Sequence, residues 1–143
     1  MNAFREVLNE RKGKGINDLE GNVSNQKNDR STRYSKGAEA LSHLDSQQVQ
    51  RMEEAYHDFS PELVQLTLEY AFADIHSRKG LDKKYRQIAT VAALATLGNA
   101  PSQLKVHING ALNVRVTEDE IKEIMLLMTV YAGFPAAING TNI

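Results

Sequence analysis

From Tyr34 to the end of the chain, apolar residues recur at intervals of three and four, and no run alternates with a period of two. This pattern constrains the fold more than any other feature. It calls for amphipathic helices packed on one another and leaves nothing to build a sheet. Val49, Met52, Tyr56 and Phe59 form one stripe, with Asp45 or Ser46 placed to cap its helix. Ser60-Pro61-Glu62 reads as a helix start, with Ser as N-cap and Pro at the first helical position. The helix it opens carries Leu63, Leu66, Tyr70 and Ile75, widened by Val64, Leu68, Ala71 and Phe72, and Gly80 ends it. Asp82 caps a helix through Ile88, Val91, Ala92, Ala95 and Leu97 that stops at Gly98. Asn99-Ala100-Pro101-Ser102 restarts the chain, and Leu104, His107, Ile108, Ala111 and Leu112 share the next face. Thr117 and Glu120 have capping-box spacing ahead of Ile121, Ile124, Met125, Leu127, Met128 and Tyr131. Gly133 and Pro135 then break the helix, because proline lacks the N–H and clashes with the preceding turn. The expected fold is an all-α helical bundle of five or more helices.

The first 33 residues differ from the rest. Only eight of them are apolar: Met1, Ala3, Phe4, Val7, Leu8, Ile16, Leu19 and Val23. Residues 11–33 cannot bury enough surface to offset the entropy of ordering them. Phe4, Val7 and Leu8 nevertheless have helical spacing, so 3–11 reads either as a short docking helix or as flexible tail. The 143 residues divide as a polar segment, 1–33, and a helical domain, 34–143.

Charge and cysteine content remove several classes of function. Lys and Arg total 17 against 18 Asp and Glu, a net charge of −1. Such a balance argues against a nucleic-acid or membrane-surface partner. No apolar run approaches the ~20 residues of a membrane span. The first 14 residues lack the apolar core of a secretory signal, so a soluble, cytoplasmic protein is expected. With no cysteine there is no disulfide, thiolate metal site or cysteine nucleophile. His43, His57 and His76 show no metal-ligand spacing, so no metal is expected.

Several short motifs occur in one order. They are Arg78-Lys79-Gly80-Leu81-Asp82, Arg86-Gln87-Ile88-Ala89-Thr90-Val91-Ala92-Ala93-Leu94, Gln103-Leu104-Lys105-Val106-His107 and Ala111-Leu112-Asn113. Thr117-Glu118-Asp119-Glu120-Ile121-Lys122-Glu123 and Tyr131-Ala132-Gly133-Phe134-Pro135-Ala136-Ala137 follow. Together they resemble the carboxymuconolactone decarboxylase family, across residues 34–140 and most strongly from Phe72. The resemblance implies an all-helical subunit of the alkylhydroperoxidase D-like type that assembles as a homo-oligomer, a trimer or hexamer. It implies action on a small-molecule carboxylate without metal or organic cofactor. The peroxidase branch of that superfamily uses Cys-x-x-Cys-x-x-x-His. Counted back from His107, its cysteine positions are Ala100 and Gln103, so the chain resembles the cysteine-free branch. A glutamate relay of that branch aligns with Gln87, which does not titrate.

Decarboxylation of a carboxylated lactone needs cations for the carboxylates and a group that delivers a proton to carbon. His107 matches the family's histidine and is the candidate for proton transfer; a core histidine satisfied by a carbonyl is the other reading. Arg86 and Arg78 are the candidate carboxylate binders, since guanidinium suits bidentate recognition. Gln87, Glu123 and Tyr131 complete the set: Gln87 to orient substrate, Glu123 to pair with His107, Tyr131 to line the pocket. Three positions depart from the resemblance. His76 stands where tryptophan is common, Lys79 replaces a proline, and Arg115 replaces a glycine where the chain needs a left-handed residue. Either Arg115 takes that conformation, at a cost on the order of 1 kcal/mol, or Asn113 does. Two functions follow: a cofactor-free decarboxylase, or a non-catalytic oligomeric binding protein on the same scaffold.

Overall fold

The computed structural model describes residues 3–22 and 29–143; Met1 and Val23 lie outside the described residues. All regular structure among these residues is helical: eight α-helices, a 3-10 turn at Arg30–Thr32 and a π-helical stretch. The α-helices are α1 (Ala3–Gly13), α2 (Arg33–Ser42), α3 (Gln48–Tyr56), α4 (Pro61–Leu66), α5 (Lys83–Leu97), α6 (Pro101–Asn113), α7 (Glu118–Tyr131) and α8 (Phe134–Thr141). The π-helical stretch, Thr67–His76, continues α4 without a break. None of the helices is long and apolar enough to cross a membrane.

Most of the helix ends follow from local chemistry. The Asp82 carboxylate accepts from the Lys84 N–H at 2.8 Å and opens α5. Gly98, left-handed at φ 68°, closes it. Thr117 and Glu120 form the reciprocal capping box of α7, at 3.1 and 2.8 Å. Gly133 and Pro135 separate α7 from α8. The α6 end answers the question left by the sequence: Arg115, not Asn113, is left-handed, with φ 70°. Its N–H donates to Leu112 C=O at 3.0 Å, and Val116 N–H reaches Ala111 C=O at 2.9 Å. This is the six-to-one and five-to-two closure that a left-handed residue permits.

Three local expectations are corrected. Asp45 does not cap α3; its carboxylate accepts from the Gln47 N–H at 3.0 Å, forming a turn just ahead of the helix. Phe59 lies beyond the end of α3 and is exposed. Ser60 sits at the N-cap of α4 without a side-chain cap bond.

The fourth correction concerns the helix from Pro61. Its buried residues are Val64, Leu68, Phe72 and Ala73, whereas Leu63, Leu66, Tyr70 and Ile75 are exposed. Both stripes are apolar, so the pattern alone cannot choose between them. Contact with α2 chooses. Gly37 of α2 lies against the backbone of Leu68, where a Cβ would come within 2.0 Å of the carbonyl oxygen. The four-residue steps from Val64 to Phe72 suit a segment whose hydrogen bonds reach back five residues, as Ser77 N–H does to Phe72 C=O at 2.9 Å.

Two apolar clusters result. Leu41, Leu44, Val64, Leu68 and Phe72 form one, among α2 and the helix from Pro61. Val91, Ala95, Leu104, Ala111, Val116, Ile124, Met125, Met128 and Ala137 form the other, among α5 to α8. Val114 packs against both. Asn113 also donates to the Leu44 carbonyl, and Gly110 allows α6 to approach Leu44. The candidate site lies along this seam. By contrast α1 buries none of its residues, and Phe4 and Val7 are exposed.

Candidate functional site

His107 is on α6, held across the seam by two neighbours. Its Nδ1 lies 3.0 Å from Oε1 of Gln87 on α5. An amide oxygen can only accept, so Nδ1 carries the proton and Nε2 keeps its lone pair. Gln87 is fully buried, and its Nε2 has no partner among the described residues. The second neighbour is His76, the last residue of the π-helical stretch. Its ring stacks on His107 with centroids 5.9 Å apart and planes at 25°. Phe72, one π-helical turn earlier, also stacks with His76, at 5.0 Å and 28°. The result is a column of three rings running from one apolar cluster to α6.

The surroundings hold both imidazoles neutral. Burial and the neighbouring His76 push His107 down to about 4. Burial, then the charge of Arg86, lowers His76 below the ordinary histidine range. Arg86 is itself lowered by burial and by Arg78.

Two concavities meet this column from different sides. A basin of about 930 Å³ is lined by His76, Arg78, Lys79, Lys83, Lys84 and Arg115, with His43 and Asn113 at its margin. Among the described residues Asp82 is the only carboxylate on its wall, and that group is engaged in capping α5. Lys84 is paired with Glu120 at 2.7 Å. The remaining charges give the basin a strongly positive field. A smaller apolar groove of about 390 Å³ is lined by Leu41, Met52, Tyr56, Phe72, Val106 and His107, among others. Gln103 also lines it, at one of the positions where the peroxidase branch carries cysteine.

The residues singled out from the sequence are therefore divided. His107 and Gln87 are brought together, and Arg78 lines the basin. Arg86 does not line the basin; its Nη2 donates to the carbonyls of Arg78 (3.0 Å) and Leu81 (3.3 Å), and its Nε is buried without a partner among the described residues. It shapes the turn that presents Arg78 and adds positive charge beside His76. Gln87 faces His107 and lines neither concavity. Glu123 is exposed on the outer face of α7, and the electrostatic neighbour of His107 is His76, not a carboxylate. Tyr131 is 77% exposed near Val130 and Phe134, because α7 turns its Ile124, Met125 and Met128 face inward. Within one chain neither residue joins the site.

Sequence reasoning passed over His76 except as a departure from tryptophan. The available signal was its four-residue spacing from Phe72. The basin was also foreshadowed by four cations within residues 78–84.

An all-helical fold with a half-buried histidine at the seam between its two apolar clusters, and no cysteine, defines a helical protein whose site excludes thiol chemistry. The model of the carboxymuconolactone decarboxylase family matches residues 61–143, and the chain belongs to that family. It is 34% identical over 106 residues to a 4-carboxymuconolactone decarboxylase of Acinetobacter baylyi, covering 73% of this chain and 78% of that one. It is 39% identical over 75 residues to a nitrosuccinic acid decarboxylase of Metarhizium robertsii, covering 52% of this chain and 51% of that protein. An uncharacterized 15.0 kDa protein of Paracoccus denitrificans is 31% identical over 98 residues, 68% of each chain.

Proposed function

We propose that this protein is a cofactor-free decarboxylase acting on a small carboxylated lactone of the 4-carboxymuconolactone type or a related dicarboxylic acid. His107 and its stacked neighbour serve the proton transfer. The observation that carries this reading is the neutral imidazole column set against a basin of unpaired cations. Arg78 at the basin wall holds carboxylate, and Arg86 supports it from behind. The bond from carbon to one carboxylate breaks, carbon dioxide leaves, and the electron pair flows into the unsaturated acid. A proton then closes the reaction at carbon. The two decarboxylases among the relatives support this class of reaction.

The exposed apolar faces, Leu63, Leu66 and Tyr70 on one side and Leu126, Val130 and Phe134 on another, support work as a homo-oligomer. A monomer by light scattering at micromolar concentration removes that part of the reading.

The test is carbon dioxide release from 4-carboxymuconolactone and from nitrosuccinate. His107→Ala is expected to lower turnover by about 100-fold or more. Full activity in that variant would sink the mechanism, and none in the wild type would sink the substrate class. Tight binding of such an acid without turnover would point to the non-catalytic binding protein.

A further inference from the structure

We propose that His76 is the imidazole that touches the carboxylated ligand in the cationic basin, gains a proton as the dianion binds, and delivers it to the carbon left electron-rich by decarboxylation. The delivery step rests on the decarboxylase reading above; the binding step does not. His107 then acts through His76, as a positioning residue.

Placement is the first argument. Of the two stacked rings, His76 lines the basin and His107 lines the apolar groove. A polyanion is drawn to the basin, where Arg78, Lys79, Lys83 and Arg115 carry no paired carboxylate among the described residues. Orientation is the second. His76 stacks against both Phe72 and His107, which fixes its ring where it lines the basin. No protein group among the described residues hydrogen-bonds to its ring nitrogens. They are free to meet a ligand, unlike Nδ1 of His107, which Gln87 occupies. The backbone is the third. His76 ends a ten-residue π-helical stretch, an uncommon conformation that clusters at functional sites.

Charge explains how a ring that is neutral in the free protein becomes a donor. The groups facing it are Arg86 from α5, His107 from α6, and the basin cations on the 78–84 turn and at Arg115. His43 at the margin has its Nδ1 on the Glu39 carbonyl, 2.8 Å away. Burial and the charge of Arg86 disfavour a positive charge on His76. A bound dicarboxylate offsets that charge and raises the proton affinity of His76. The step balances. One carbon–carbon bond to carboxylate breaks and carbon dioxide departs. The electron pair left behind takes the proton from the His76 imidazolium, and neutral His76 is regenerated. One proton is drawn from solvent per turnover.

The experiment follows histidine ring signals by NMR in the wild-type protein during titration with succinate, a dicarboxylate that does not decarboxylate under these conditions. The expected result is movement of the His76 signals and a rise of about tenfold or more in its proton affinity, with His107 still neutral. A response confined to His107, or none at either ring, overturns the proposal. In parallel, His76→Phe keeps a ring in the stack and removes the nitrogens. It is expected to lose about 100-fold in kcat on 4-carboxymuconolactone, and wild-type kcat in this variant overturns the delivery step. A succinate response at His76 in a wild-type protein that turns over neither acid keeps the binding site and removes the decarboxylase reading. The titration needs no variant, so it stands even if His76→Phe fails to fold.

Discussion

Replacing Gln87 by Glu places a carboxylate 3.0 Å from Nδ1 of His107, where an amide oxygen now sits. Burial and His76 hold His107 down to about 4, against 6.5 for a free histidine. That difference corresponds to about 3 kcal/mol disfavouring the imidazolium. Two unit charges about 4 Å apart attract by about 4 kcal/mol at an effective dielectric near 20. The new carboxylate therefore more than cancels the penalty, and His107 is expected to titrate near 7. In the wild type the lowered value means that the unfolded chain binds more protons between about 4 and 6.5. The contribution of His107 to stability is thus complete above 6.5 and is lost as pH falls toward 4. In Gln87→Glu the sign reverses: the pair stabilises below 6.5, and its contribution fades as pH rises through the new value. The assay is a pH titration of labelled histidine by NMR, with denaturant unfolding at pH 5 and pH 8 alongside. Gln87→Leu serves as the uncharged control. If His107 in Gln87→Glu still titrates near 4 while the introduced carboxyl is ionised, the Gln87–His107 contact is refuted, and with it the tautomer.

Two further predictions test the scaffold. Gly37→Ala drives a methyl group to 2.0 Å from the Leu68 carbonyl oxygen, so α2 must shift away from the π-helical stretch. A loss of about 1–3 kcal/mol in denaturant unfolding is expected, and an unchanged midpoint would contradict the packing. Arg115→Gly relieves a left-handed non-glycine residue at φ 70° but loosens the unfolded chain. A net gain of about 0.5–1 kcal/mol is expected together with weaker succinate binding, because a basin cation is lost; a less stable variant would show that Arg115 bears no strain.

How much of this was legible in the sequence varies with the range of the interaction. The capping box at Thr117 and Glu120, the Asp82 cap and the Gly98 and Gly133–Pro135 punctuation were readable because each depends on residues within a turn of one another. The need for a left-handed residue at the end of α6 came from the resemblance, which left Arg115 and Asn113 both open; the structure chose Arg115. The burial face of the helix from Pro61 was not readable. Its Leu63–Ile75 and Val64–Phe72 stripes are equally apolar, and the choice came from Gly37, thirty-one residues before Leu68. The π-helical geometry that aligns Phe72 with His76 was hidden likewise, since nothing in the local spacing separates it from an α-helix.

The site shows the same division. The chain by itself determined that the chemistry excludes thiols and that helices would build the fold, which follow from residue identity and short-range spacing; His107, Gln87, Arg86 and Arg78 were singled out with the help of the family resemblance. Only the tertiary structure decided that Gln87 faces His107, that Glu123 and Tyr131 face outward, and that His76 stands between His107 and the basin. Those outcomes depend on how α5, α6 and the π-helical stretch meet at the seam between two apolar clusters. The packing of residues distant in the chain sets that meeting, and with it which imidazole an anion would encounter.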